Sequence, residues 1–340
     1  MPDPIGNRQW ILVRRPRGPL APEDFAWREG PVPEPGPGEV LSRTLYLSID
    51  PANRAWMSPV ATYTRPVEVG GVMDGFTLAE VVRSNDPAFR PGDVVEGMNG
   101  WQDYKVARGA ELSRVERREP LSHRLSLTGI TGRTAYFGLL EIGRPRPGET
   151  VLVSAAAGAT GSVAAQLARI AGCRVIGIAG STEKCRWLVA ELGLDGALDH
   201  HDPELRRRLA ELCPRGVDVY FDNVGGDLLE TVLFQMNLFG RVVCCGVVSQ
   251  YDTATPAPGP RGVPGLLVVK RLRMEGFVVM DFDARRAEAE ARLARFAEEG
   301  RLRVPEQIVE GLERAPEALI GVLHGRNLGK CMVRVAPGIR

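Results

Sequence analysis

One short segment constrains this chain more than any other: Thr150-Val-Leu-Val-Ser154-Ala-Ala-Ala-Gly158-Ala-Thr-Gly161. An apolar run of strand length passes into two glycines spaced three apart, and an apolar helical pattern follows. Gly158 stands where a backbone can come close to a pyrophosphate. Gly161 stands where helix and strand must pack tightly, and Ala156 takes the place of a first glycine. The backbone amides of Gly158, Ala159, Thr160 and Gly161 then meet phosphate oxygens, helped by the positive end of the helix. By itself Gly-x-x-Gly is a tight turn. The strand before it, the helix after it and the series beyond it point to dinucleotide binding.

That series is regular. Helix-like Gly132–Leu140 leads in. Strand Thr150–Ser154, helix Val163–Ala171, strand Arg174–Ala179 and helix Thr182–Leu192 follow. Next come a short strand near Ala197-Leu198, helix Glu204–Cys213, strand Val217–Asp222, helix Leu228–Asn237 and strand Arg241–Val247. Alternation of this kind, with nearly continuous apolar strands, predicts a doubly wound parallel sheet. Gln250–Gly265, rich in Pro, Gly and Thr, reads as a loop beside the carboxyl edge of that sheet, and Ala284–Glu299 as a charged amphipathic helix. Before about Leu127 the chain is β-rich, with short apolar runs at Val40–Leu47, Ala79–Val82 and Val94-Val95 between Pro/Gly turns, as in a barrel or sandwich. The tail from Arg301 ends in the strand-like Lys330–Val335.

The expected cofactor form is NADPH. An NAD site carries an acid about 20 residues beyond the glycines, at the end of the second strand, for the ribose hydroxyls. Here that strand ends Ile178-Ala179-Gly180-Ser181, with no acid to repel a 2′-phosphate. Ser181 can cap the next helix, and Lys184 lies in its first turn, where it opposes the helix dipole unless an anion sits nearby. Only four of the 43 basic residues are lysines, so Lys184 is not generic surface filling.

Composition excludes other classes. A net charge of +1 gives no footprint for nucleic acid or an anionic membrane, and no apolar run is long enough to span a bilayer. The start, MPDPIGNRQW, is not a secretory signal, and six cysteines without paired spacing fit a reduced cytoplasmic protein. No cysteine precedes Cys173, so no zinc cluster of Cys and His can be built in the first part, and no metal is expected. His200-His201-Asp202 invites a metal reading, but three consecutive residues converge poorly on one ion.

The chain resembles the zinc-free medium-chain reductases of the leukotriene B4 dehydrogenase and prostaglandin reductase family, and most of all their bacterial curcumin-reductase-like members. The resemblance runs from Asn7-Arg-Gln-Trp10 to Asn327-Leu-Gly-Lys330. It is carried by Leu47-Ser-Ile-Asp-Pro51, Ala155-Ala-Ala-Gly158, Phe221-Asp-Asn-Val-Gly-Gly226 and Cys245-Gly246 with Ser249-Gln-Tyr251. It implies a GroES-like domain over residues 1–127 with the tail 301–340 folded back onto it, and a Rossmann domain over 128–300. It also implies a homodimer. Lys184, and His200 where relatives carry tyrosine, would hold the adenosine phosphate. Asn223, Cys245, Gly246, Ser249, Tyr251, Phe277, Val278, Val279 and Asn327 match cofactor-contact positions. Relatives read Asp-Pro-Tyr-Met-Arg where this chain has Asp50-Pro-Ala52-Asn-Arg54, so a pocket tyrosine is replaced by Ala52 while Arg54 is kept.

The implied reaction is NADPH-dependent reduction of the carbon–carbon double bond of α,β-unsaturated ketones or aldehydes. It needs a hydrogen-bond donor for the developing enolate. Tyr251 is the first candidate, since a phenol stays protonated at neutral pH, and Tyr63 the second. Arg54 would steer an acidic substrate or pair internally. A quinone reductase of the same fold and a non-catalytic NADPH sensor are the rival readings.

Overall fold

The computed structural model of the protein describes residues 6–60, 64–256 and 259–336. Within these residues two sheets dominate. The parallel sheet has six strands in the order Gly196–Asp199, Arg174–Ala179, Thr150–Val153, Val217–Asp222, Met236–Cys244 and Arg273–Gly276. Thr150–Val153 is fully buried and pairs with the second strand on one side and the fourth on the other. Strand order therefore reverses beside it, which opens a crevice at its carboxyl end.

The other sheet is almost wholly antiparallel. Glu39–Ser48, its longest strand, pairs with Thr77–Ser84, Tyr104–Arg108 and Lys330–Arg334, and Val94–Gly97 and Ser113–Val115 extend one side. Glu306–Glu310 lies parallel to Lys330–Arg334 at the other edge. The tail thus supplies two strands to a sheet whose remaining strands come from the first 115 residues. The fold is a β-rich GroES-like unit joined to a Rossmann unit.

Several expected boundaries move. The helix expected over Leu228–Asn237 spans Gly226–Leu233, and the next strand starts early, at Met236 rather than Arg241. The cause is side-chain capture: Asn237 Nδ2 donates to Asp218 Oδ1 at 2.7 Å and pulls the chain into the sheet. Strand register then shifts between Val217 and Val219, and Phe239 has φ +63°. That strand ends at Cys244, because the amides of Cys245 and Gly246 turn back to donate to the Asp222 carbonyl at 2.8 and 3.1 Å. Inside the expected loop Gln250–Gly265 a helix begins, Val263–Lys270, with Pro264 in its first turn. Its apolar residues are not confined to one face, and Val268 and Val269 are exposed, so periodicity gave no signal.

Gly329 joins the two units beside the crevice. Gly329 N donates to the Ala157 carbonyl at 2.8 Å, and Gly158 and Gly329 form a parallel bridge. One residue on, Lys330 is 1% exposed and its Nζ donates to the Ile49 carbonyl at 3.2 Å and to Asp50 Oδ1 at 2.5 Å. Removing one partner of such a buried pair strands the other charge and typically costs about 3–5 kcal/mol. Lys330→Met is therefore expected to lower the thermal midpoint clearly, and an unchanged midpoint would count against a structural role for the pair. Gly161 makes a second test. A Cβ there would sit 2.3 Å from the Ala155 carbonyl oxygen, in rigid backbone, whereas one at Gly158 would meet that oxygen at 3.2 Å. Thermal unfolding should show Gly161→Ala destabilised by several degrees, on the order of 1–3 kcal/mol of overpacking, and Gly158→Ala much less.

Candidate active site

A cavity of about 820 Å³ occupies the crevice and reaches across to the β-rich unit. Its floor is the glycine segment. Helix Ala159–Ile170 starts directly after Gly158, whose extended backbone (φ −84°, ψ 177°) stands at the cap position without a side-chain cap. Among the described residues the amides of Ala159, Thr160 and Gly161 have no hydrogen-bond partner, the condition for receiving a phosphate, while Gly158 N donates to the Ala155 carbonyl at 2.9 Å. Gly158, Ala159, Thr160 and Gly161 all line the cavity.

At one end the wall is made by the turns after Arg174–Ala179 and Gly196–Asp199. Ser181 caps the following helix, its Oγ accepting from Lys184 N at 3.2 Å. Lys184 Nζ donates to the Gly325 carbonyl at 2.5 Å, and burial lowers its pKa, with Glu183 working weakly the other way. A partly desolvated ammonium lining the same cavity as free amides is a phosphate-binding feature. His200 lines the same end, with Nδ1 2.9 Å from the Ala179 carbonyl. Because a carbonyl only accepts, that nitrogen carries the proton, and Nε2 is left for another partner.

Asp199, His200 and His201 each place a donor atom within 4.8 Å of the others. This trio differs from the His200-His201-Asp202 run of the sequence, whose Asp202 instead pairs with Arg208 and accepts from Glu204 N. All three side chains are already engaged: Asp199 Oδ1 accepts from His201 N and Nδ1 at 3.0 and 3.1 Å, and His200 Nδ1 serves Ala179.

The middle of the cavity is organised by Asp222. Fully buried at the end of its strand, it accepts with Oδ1 from Tyr220 Oη at 2.8 Å, Ser154 Oγ at 3.2 Å and the amides of Val224 and Gly225 at 3.0 Å. Asn223 is held in turn, its N donating to Ser154 Oγ at 2.9 Å and its Nδ2 to the Ser154 carbonyl at 2.7 Å. Cys245 and Gly246 follow on the adjacent strand end. Burial, with Asp222 adding to it, pushes the Cys245 thiol up to about 12. Ser249 Oγ donates to the Val224 carbonyl at 2.5 Å. Tyr251 lines the cavity, and burial raises its pKa above the ordinary phenol value. Phe277, Val278 and Val279 complete this side. Gly138 leaves room for the Phe277 ring, which would lie 2.5 Å from a Cβ there. Asn327 also lines the cavity, its Nδ2 donating to the Gly329 carbonyl at 2.8 Å.

The facing wall comes from Ile49, Asp50, Pro51, Ala52, Trp56 and Phe76, the last two rings meeting edge to face at 6.0 Å. Trp56 and Phe76 carried no sequence signal, being single aromatics in a segment without clear periodicity. Arg54 is not part of this wall. It is 6% exposed, with Nε 3.0 Å from Asp252 Oδ1 and Nη2 donating to the Gly18 carbonyl at 2.9 Å. Its guanidinium is therefore committed within the protein, which removes the substrate-steering reading. Tyr63 lies outside the described residues.

Residues 8–115 match the N-terminal domain of oxidoreductase and residues 159–298 match a domain described as zinc-binding dehydrogenase. The chain is 43% identical to the NADPH-dependent curcumin reductase of Escherichia coli (strain K12), over 97% of each chain. It is 39% identical to prostaglandin reductase 1 of Bos taurus, over 97% of this chain and 99% of that one. The crystal structure of CurA in complex with NADPH from Vibrio vulnificus superposes with a TM-score of 0.93 at 39% identity, over 97% of this chain and 99% of that one. Fold, site and these likenesses agree: the chain belongs to the medium-chain dehydrogenase/reductase family, in the branch that holds the curcumin and prostaglandin reductases.

Proposed function

We propose that this protein is an NADPH-dependent reductase of the carbon–carbon double bond in α,β-unsaturated ketones and aldehydes. The observation that carries the reading is one continuous cavity lined by helix-start amides without a side-chain cap, Lys184, Tyr251 and the wall of Ala52, Trp56 and Phe76. Two relatives of known name, a curcumin reductase and a prostaglandin reductase, support it.

The residues fit the cofactor. Gly158 to Gly161 receive the pyrophosphate. Lys184, with His200 beside it, holds the 2′-phosphate. Asn223, Cys245, Gly246, Ser249, Phe277–Val279 and Asn327 enclose the remainder. When bound, NADPH would supply a hydride to the β-carbon of the enone, and the α-carbon would take a proton from water to give the saturated carbonyl. The protein's own part is to orient the enone between Trp56, Phe76 and Ala52, exclude water, and hydrogen-bond the carbonyl oxygen as enolate charge develops there. Tyr251 is the donor. The lining residues of the apolar wall include no cation among the described residues, so neutral enones suit it better than acidic ones.

Other features support the finer points. The lack of any cysteine before Cys173 supports a reaction without zinc. No helix among the described residues is long and apolar enough to cross a membrane, and the free thiols agree with a cytoplasmic setting. The open edge strand Arg273–Gly276, near the exposed Leu238, Phe239, Val268 and Val269, supports a homodimer.

The test is NADPH oxidation followed with simple enones, curcumin, a quinone and saturated ketones, with products identified by mass. Saturated carbonyl formed from neutral enones is the expected result. Turnover of the quinone alone would move the reading to a quinone reductase, and tight NADPH binding without turnover to a sensor. Tyr251→Phe should lower kcat/KM by about 100-fold, the usual worth of one oxyanion donor. The donor works while protonated and is lost as pH rises through its pKa. With that pKa raised, the wild-type alkaline limb should begin above the ordinary value of about 10. Lys184→Ala should raise the Kd for NADPH by about 10- to 100-fold, the worth of a charged hydrogen bond, and leave that for NADH nearly unchanged. Equal losses for both would remove Lys184 from the 2′-phosphate.

A further inference from the structure

The pair that removes Arg54 from the substrate wall has a role of its own. Arg54 is the middle residue of the helix turn Ala52–Trp56, which lines the cavity with its two end residues. Asp252 directly follows Tyr251, which lines the opposite side. Asp252 Oδ1 accepts from Arg54 Nε at 3.0 Å and from Leu20 N at 2.8 Å, and Arg54 Nη2 closes the circuit on the Gly18 carbonyl at 2.9 Å. Both side chains are well buried, at 7% and 14% exposure. The contact extends along the chain: a Cβ at Gly18 would lie 3.8 Å from Ala254 Cβ. Before Tyr251 the loop is anchored on its own unit, by Val248 N to the Asn223 carbonyl at 3.1 Å and by Ser249 N and Oγ to the Val224 carbonyl at 3.3 and 2.5 Å; directly after Tyr251 the tie to the facing unit is Asp252.

We propose that Arg54 and Asp252 form a clasp between the two units that positions Tyr251, fixing the distance from its phenol to the Trp56 wall where the carbonyl of the substrate lies. Neither clasp residue touches the reacting atoms; both act through Tyr251. A hydrogen-bond donor held about 1 Å out of place loses much of its catalytic value. A desolvated ion pair supplies a rigid tie, because breaking it leaves a buried charge behind. The proposal rests on the role given to Tyr251 above.

Asp252→Asn tests it with little change of shape, since the amide still offers an oxygen to Leu20 N and Arg54. Arg54→Lys is a second variant that keeps the charge but loses the fork. Each is measured as the intact enzyme with a neutral enone, alone and combined with Tyr251→Phe, and by hydrogen exchange of the segment 247–256 without cofactor. Asp252→Asn is expected to lower kcat about tenfold, with the KM for NADPH unchanged. In the Tyr251→Phe background it should cost less than about twofold, the non-additivity of residues acting as a unit. Exchange of the segment should quicken in both clasp variants. Multiplicative losses with unchanged exchange would overturn the clasp. If the wild-type protein reduces no enone, the function proposed above fails, and the exchange measurement still decides whether the pair holds the loop.

Discussion

A single carboxylate oxygen sets the geometry on which this site depends. Asp222 Oδ1 gathers donors from its own strand (Tyr220), from the first strand of the sheet (Ser154) and from the turn that follows (Val224 and Gly225). The carbonyl of the same residue holds the start of the next strand's exit, at Cys245 and Gly246. Three chain segments at the switch point are thus referred to one buried residue. A carboxylate in that position is tolerable because its lone pairs are filled by donors. Tyr220, wholly buried, is pushed well above the ordinary phenol value by that burial, with Asp222 adding to it, and so remains a donor.

The second constraint is the join between the units. The cavity has one wall from each, so its width is a property of the interface and not of either sheet. Arg54 with Asp252 is an ion pair across this join, and Lys330 with Asp50 is a buried pair within the β-rich unit beside it; each has one member lining the cavity or adjacent in sequence to a lining residue. Hydrophobic burial fills the space behind them, with Trp56, Met57 and Ile49 in the core of the β-rich unit. Such packing is non-directional; the ion pairs add direction.

How much of this was legible in the sequence differs from place to place. Strands Arg174–Ala179 and Val217–Asp222 were read to the residue, because central parallel strands are continuous apolar runs with turn formers at both ends. The glycine segment was legible because its spacing answers a geometric need. Met236–Cys244 was misplaced because Asn237 answers to Asp218, a partner on another strand that no local pattern reveals. The sequence around Arg54 fits two roles for the same reason: its partner Asp252 lies in a loop far along the chain. Trp56 and Phe76 became wall residues only through packing. Local chemistry was visible, then, and long-range pairing was not.

The bridge between Gly158 and Gly329 has a consequence for how the protein comes into being. The phosphate loop and the sheet beneath it are complete once the Rossmann strands exist, but the strand that touches that loop is made much later. During synthesis domains tend to fold in order from the N-terminus. Here the β-rich unit cannot finish, because its longest strand waits for Lys330–Arg334 to pair with it. Lys184 waits too, since the carbonyl that holds its amine belongs to Gly325. A nascent chain therefore passes through a stage with a formed nucleotide floor and an open first domain, and the arrival of its final strand closes both at once.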